Sequence, residues 1–202
     1  MSEQYFTANP ASAEQRRTVV ATVWGRRLEF DTASGVFALG RLDVGTAVLF
    51  RQAQPRDFPG RFLDLGCGYG AIACGLALAV PGAEVWAVDI NRRALTLCRD
   101  NARRLAPTAQ VTVCEPDEVP AGMEFDEIWS NPPIRVGKPA LHALLLHWLP
   151  RLSPEGRAVL VVGRNLGADS LQRWLVEHDH PCVRLGSAKG FRVLEVRRPP
   201  AG

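Results

Sequence analysis

Three short stretches carry residue types whose spacing could do chemistry together. The first, Leu63-Asp-Leu-Gly-Cys-Gly-Tyr-Gly70, sets Gly66, Gly68 and Gly70 just behind an acid, Asp64. Glycines so placed permit a sharp turn and let a ligand approach the main chain closely. The second is Val85-Trp-Ala-Val88, which ends in Asp89, 19 residues after Gly70. A carboxylate at a strand end can accept hydrogen bonds from two adjacent ribose hydroxyls. The third is Ser130-Asn-Pro-Pro-Ile134. Proline has a fixed φ and no N–H, and it keeps the residue before it out of the helical region. Asn131, Pro132 and Pro133 therefore read as a stiff, extended loop.

Two cofactor classes fit the first pair. Gly66-x-Gly68-x-x-Ala71 with an acid about 20 residues on matches the dinucleotide fingerprint. Against a dinucleotide stands Asp64, whose charge beside the loop would repel a pyrophosphate and welcome a cation. S-adenosylmethionine has no phosphate and carries a sulfonium and an ammonium, so the charge pattern favours a methyl donor. The third stretch suits an exocyclic amine, whose lone pair is delocalised into a ring. The Asn131 side-chain oxygen and the Pro132 carbonyl could accept its two hydrogens and aim the lone pair at a methyl carbon. Such a reaction needs positioning more than a strong base, and well-oriented reactants gain roughly 7–11 kcal/mol.

Other reactive types have plainer readings. Cys67 lies inside the glycine loop with no neighbouring histidine or base, so its small size is its use. His178-Asp-His180-Pro-Cys182 offers three ligands in one short loop with no second cluster, whereas zinc sites show wider pairs; no metal is expected. His142 and His147 read as packing or surface residues. Arg135 and Lys138, just past the proline pair, suit either RNA phosphate or a solvated helix start. Five cysteines, scattered without a CxxC pair, fit reduced thiols better than disulfides.

The elements that must position these residues alternate in type. Arg17–Trp24 and Arg27–Thr32, either side of Gly25-Arg26, predict a β-hairpin. Strands are predicted at Phe62–Leu65, Glu84–Val88, Gln110–Cys114, Phe125–Ser130, Ala158–Val162 and Phe191–Val196. Helices are predicted at Ala71–Val80, Arg92–Leu105, Pro139–Leu149 and Ala168–Glu177, with Asn91 as an N-cap. Alternation of this kind predicts an α/β fold: a Rossmann-like, doubly wound, mostly parallel sheet with an N-terminal hairpin extension. The 202 residues read as one domain, with residues 1–50 as hairpin and covering segment and residues 61–202 as the core.

Charge is unevenly spread. Residues 1–60, 61–130 and 131–202 carry balances of +1, −4 and +6, and of 24 cations all but Lys138 and Lys189 are arginine. The basic last third hints at an anionic partner. No apolar run reaches the 18 or so residues that cross a bilayer, and the first residues lack a secretory pattern. A cytoplasmic protein without a membrane partner is expected. The sequence carries no signal for oligomeric state.

These residues resemble the class I S-adenosylmethionine-dependent methyltransferases, within them the methyltransferase small domain group. The similarity runs closest to the RsmC-type 16S rRNA guanine-N2 methyltransferases and covers nearly the whole chain. It rests on Ser34-Gly-Val-Phe37, Asp43-Val-Gly-Thr46, Leu63–Gly70, Val88-Asp89, Phe125-Asp126, Ser130–Pro133 and Gly190-Phe-Arg-Val193. The resemblance implies that Asp64 and Gly66–Gly70, with Cys67, hold the methionine part and Asp89 the ribose. It implies that Asn131, Pro132 and Pro133 hold the amine, and that Phe37–Thr46 covers the cofactor. An acid after the third strand would meet the adenine; Glu115 and Asp117 both qualify, and Asp117 is preferred. The implied cofactor set is Asp64, Gly66, Cys67, Gly68, Gly70, Asp89, Ile90, Asp117 and Asn131. Ile134, Arg135 and Lys138 are the implied substrate contacts.

Two departures stand out. The family often places an aromatic after the proline pair, to stack on a flipped base, and here Ile134 takes that position. The enterobacterial enzyme also carries a second, degenerate methyltransferase domain without a counterpart in this chain. The leading expectation is methylation of a guanine N2 amine in RNA, 16S rRNA or the small ribosomal subunit. A protein glutamine amide, a small-molecule amine, an NAD enzyme and a non-catalytic ribosome assembly factor stand as alternatives.

Overall fold

A computed structural model describes residues 15–38, 40–132 and 137–199. Strands β1 (Arg16–Val23) and β2 (Arg26–Ala33) form the antiparallel hairpin. Its turn residues Trp24 and Gly25 both have positive φ, 43° and 82°, the left-handed pair that matches strand twist in tight hairpins. Alternate residues Val19, Ala21 and Val23 face inward.

The main sheet has seven strands. They are β3 (Arg61–Leu65), β4 (Glu84–Val88), β5 (Gln110–Cys114), β6 (Phe125–Ser130), β7 (Leu152–Gly163), β8 (Cys182–Ala188) and β9 (Phe191–Arg197). Their order is β5-β4-β3-β6-β7-β9-β8, parallel from β5 to β7, with β9 antiparallel to both neighbours. The order reverses beside β3, and the crevice beyond the strand ends there is where such sheets bind ligands.

Helices α1 (Val44–Gln52), α2 (Ala71–Ala79), α3 (Arg92–Leu105), α4 (Lys138–Trp148) and α5 (Ala168–Glu177) cover the sheet. Period-two alternation sends Phe62 and Val159 into an apolar cluster with the hairpin, α1, α2 and α3. Leu63 and Leu160 point the other way, against α4 and α5. Among the described residues no helix is long and apolar enough to cross a membrane.

The predicted strands and helices are present, most within a residue or two of the expected ends, and three features differ. Strand β7 begins at Leu152, six residues early, because Pro154 and Gly156 hide an extended segment paired to Phe125. Strand β8 has no expected counterpart, since Val183, Arg184 and Leu185 are all exposed on the sheet's edge and show no alternation. Helix α1 has no expected counterpart either, its residues reading chiefly as part of the covering segment. Its start is capped by Asp43, whose carboxylate accepts the Thr46 N–H at 3.0 Å.

Candidate active site

The ends of three adjacent strands are laced together beyond their ladders. The N–H groups of Gly66 and Cys67 donate to the Val88 carbonyl at 2.8 and 3.0 Å, joining β3 to β4. The Ser130 hydroxyl donates to the Leu65 carbonyl at 2.6 Å, joining β6 to β3. The glycine loop, Asp89 and Asn131 are thereby held along one edge of the sheet.

Asp89 binds the loop from the side. One carboxylate oxygen accepts the Gly68 N–H at 2.9 Å and the other accepts the Asn91 N–H at 2.9 Å. Each oxygen keeps acceptor capacity. Burial pushes the Asp89 carboxyl above the usual range, opposed by these main-chain donors. Asn91 caps α3 through its oxygen, and its amide donates to the Gly35 carbonyl at 2.8 Å. The chain just before Phe37–Thr46, the segment expected to cover the cofactor, is thus tied to the site's floor.

Asp64 lies beneath the loop, off the wall of the crevice. It is fully buried; one oxygen accepts the Ala73 N–H at 2.9 Å at the start of α2, and the other has no partner. Burial, with the Asp89 charge, pushes its carboxyl up to about 8 against the Ala73 N–H. Gly70 belongs to this understructure too. With φ at 90° it caps α2, and a Cβ there would come within 2.7 Å of the Cys98 sulfur.

Above the loop is a cavity of about 500 Å³. Gly66, Cys67, Gly68, Asp89, Ile90, Asn131 and Pro132, all among the residues singled out in the sequence, line it. A Cβ on Gly66 or Gly68 would point into open space, with nothing within 4 Å. The cradle is therefore empty of protein where a ligand would sit, and two acids with raised proton affinity lie at its floor and flank. A cationic cofactor without phosphates fits these residues. Burial and the charges of Asp89 and Asp64 hold the Cys67 thiol well above its ordinary range, which suits a packed residue and not a nucleophile.

On the acceptor side, the Asn131 amide nitrogen donates to Asp43 at 2.7 Å and to the Thr46 hydroxyl at 3.0 Å. A carboxylate only accepts, so it selects the NH2 end of the amide. Among the described residues nothing donates to the Asn131 oxygen, and Asn131 lines the cavity. Asp43 and Thr46 also line the cavity, and their Asp-x-x-Thr capping spacing is the signal that could have marked them. Leu166 and Phe191 complete this side; a Cβ on Gly45 would come within 2.9 Å of the Phe191 ring.

Other expected contacts lie elsewhere. Asp117 is exposed, Glu115 pairs with Arg92 at 2.8 Å, and Pro116 between them lines the cavity. Lys138 is exposed at the first turn of α4. Pro133, Ile134 and Arg135 lie outside the described residues. His180 faces the Arg197 carbonyl at 3.2 Å, and His178 packs on Trp174 with ring centroids 4.4 Å apart. His142 stacks on the same indole at 3.7 Å.

Comparison with known proteins agrees with this architecture. The T. thermophilus 16S rRNA N2 G1207 methyltransferase RsmC, solved with AdoMet and guanosine, superposes with a TM-score of 0.79. It is 26% identical over 94% of this chain and 52% of its own. Ribosomal RNA small subunit methyltransferase C of Ectopseudomonas mendocina is 33% identical over 85% of this chain and 51% of its own length. The chain thus spans about half of these two relatives. It spans all of the uncharacterized protein YbxB of Bacillus subtilis, at 28% identity over 98% of this chain. A release factor glutamine methyltransferase of Gloeobacter violaceus is 34% identical, over 61% of this chain. The family model for the methyltransferase small domain matches residues 27–195. A match over that much of the chain means that it belongs to the methyltransferase small domain family, as an S-adenosylmethionine-dependent methyltransferase.

Proposed function

We propose that the protein transfers a methyl group to the exocyclic N2 amine of a guanine in RNA, 16S rRNA being the expected acceptor, in the cytoplasm. One observation carries this reading: the Asn131 amide is anchored through its nitrogen, which leaves its oxygen as the end able to accept, and Asn131 lines the cavity that also holds the glycine loop and Asp89. That oxygen and the Pro132 carbonyl accept the two amine hydrogens and turn the lone pair toward the donor. Asp89 holds the ribose and the glycine loop takes the methionine part. The bound cofactor supplies a methyl group on a positively charged sulfur. Asp64 stays a buried carboxyl below the loop, bonded to the Ala73 N–H, and the acceptor amine sheds its extra proton to solvent after attack. The guanosine and AdoMet named with the T. thermophilus relative support the pairing of donor and acceptor.

The test is transfer of labelled methyl groups to rRNA and small subunits from cells lacking this protein. Labelled N2-methylguanosine in the RNA digest is the expected product. Label in a release factor instead, the substrate class of the Gloeobacter relative, would replace the RNA reading with a glutamine one.

A further inference from the structure

The charge imbalance along the sequence becomes a spatial one at the ligand-binding edge of the sheet. Strands β3 to β7 all end at that edge. Because Phe191 pairs with Gly163 and Ala188 with Phe191, β9 starts and β8 ends there too. Over β4 and β5 this edge carries Asp89, Glu115, Asp117 and Glu118, with Arg92 bound to Glu115. Over β7, β9 and β8 it carries Lys138, Arg164, Lys189 and Arg192 around one carboxylate, Asp169, with Arg184 farther back, in the middle of β8.

Several contacts gather these cations. The Arg164 N–H donates to the Gly190 carbonyl at 2.7 Å, so the turn after β7 lies against the β8–β9 turn that bears Lys189. A Cβ on Gly167 would sit 3.5 Å from the Lys138 Cε, which places α4's first residue beside the same turn. Arg192 holds Asp169 at 2.6 Å, and the charges of Arg184 and Arg164 join Arg192 in keeping that carboxyl below its usual range. Among the described residues Lys138, Arg164, Arg184 and Lys189 have no carboxylate at ion-pair distance, and all four are exposed. Apolar cavity walls are interleaved with them. Leu166 follows Arg164 by two residues, and Phe191 stands between Lys189 and Arg192.

We propose that this basic rim is the track for an RNA backbone, with phosphates on the cations and one base turned inward past Leu166 and Phe191. The inference rests on the reading of the acceptor as RNA and adds where the chain runs. Cations tracking phosphates beside rings and apolar walls that meet bases are the general form of single-strand recognition. Phosphates would be repelled from the acidic β4–β5 side, so the strand leaves over β8 and not over the cofactor.

The test compares three forms of the full chain for binding of an unmodified small-subunit rRNA transcript at a series of salt concentrations. They are the wild type, the triple variant Lys138→Gln/Arg164→Gln/Lys189→Gln, and a control, Arg26→Gln/Arg27→Gln. The control changes the hairpin turn, at the opposite edge beside Ala53. Each single-strand phosphate contact adds about 0.7 to the slope of log affinity against log salt, so the triple variant should lose about two from that slope and about a hundredfold in affinity near 0.1 M salt. S-adenosylhomocysteine binding should not change. Triple-variant binding equal to wild type, or an equal loss in the control, overturns the rim. Tighter binding of polyglutamate than of RNA, abolished by the triple variant, overturns it in favour of an acidic protein. If the wild type binds no RNA at all, the RNA reading itself fails.

Discussion

At the scale of single residues, the site depends on which end of one amide faces inward. Asn131→Ala removes a preorganised acceptor and should cost about 10²–10³ in kcat, with cofactor affinity retained in a direct binding titration. Asp43→Asn is a sharper probe, because asparagine caps a helix as well as aspartate does. Its thermal midpoint should stay near wild type. Its own NH2 can instead meet the Asn131 oxygen, so the Asn131 amide turns over and turnover falls with it. Wild-type kcat in Asp43→Asn would mean that Thr46 alone sets the orientation. Asp64 gives a pH signature. Its carboxyl takes up a proton near pH 4 in the unfolded chain and near pH 8 in the folded one. The folded chain therefore holds the extra proton between these values, and stability falls as pH rises through them, by up to about 1.4 kcal/mol per pH unit. Unfolding midpoints from pH 5 to 9 should show this decline in the wild type and a flatter profile in Asp64→Asn.

At the scale of elements, the sheet is braced at its other edge by a buried ion pair. Glu127 on β6 is fully buried and pairs with Arg157 on β7 at 2.7 Å, while Arg157 reaches Glu195 on β9 at 3.0 Å. The Trp129 indole N–H donates to the remaining Glu127 oxygen at 2.7 Å. Arg157→Ala would strand that carboxylate, with Arg56 at 3.7 Å as partial relief, and should cost about 3 kcal/mol in urea unfolding. Arg157→Lys should recover part of the loss. The alternation of strands and helices was legible because each has its own apolar period, two in Val159-Leu160 and near 3.6 in α3. Strand β8 was not, for its outward Val183 and Leu185 carry no inside–outside contrast. Of the site, Gly66–Gly68, Asp89 and Asn131 were legible because special backbone and charge leave local marks. Asp43-Val-Gly-Thr46 was legible as a stretch shared with the family, but its hold on Asn131 was not, since that contact spans 88 and 85 residues and no linear pattern records it. Asp64 was legible as an acid but not as a buried one, because its depth is set by the packing of α2 over it.

At the scale of the whole molecule, cofactor choice should appear as stability. A ligand that binds only the folded chain stabilises it by about 2.7 kcal/mol at 100 times its Kd. S-adenosylhomocysteine should raise the melting temperature in this way, and NAD at equal concentration should leave it unchanged. The lacing of β6 to β3 through Ser130, and of β3 to β4 through the loop N–H groups, has a mechanical outcome. The two half-sites ride on one rigid plank, so the span between them is a gauge cut into the sheet and not a gap that closes on demand. Reactive groups that reach the gauge mark should be alkylated, and homologous ones a bond longer or shorter should be passed over in competition assays, however tightly they are held.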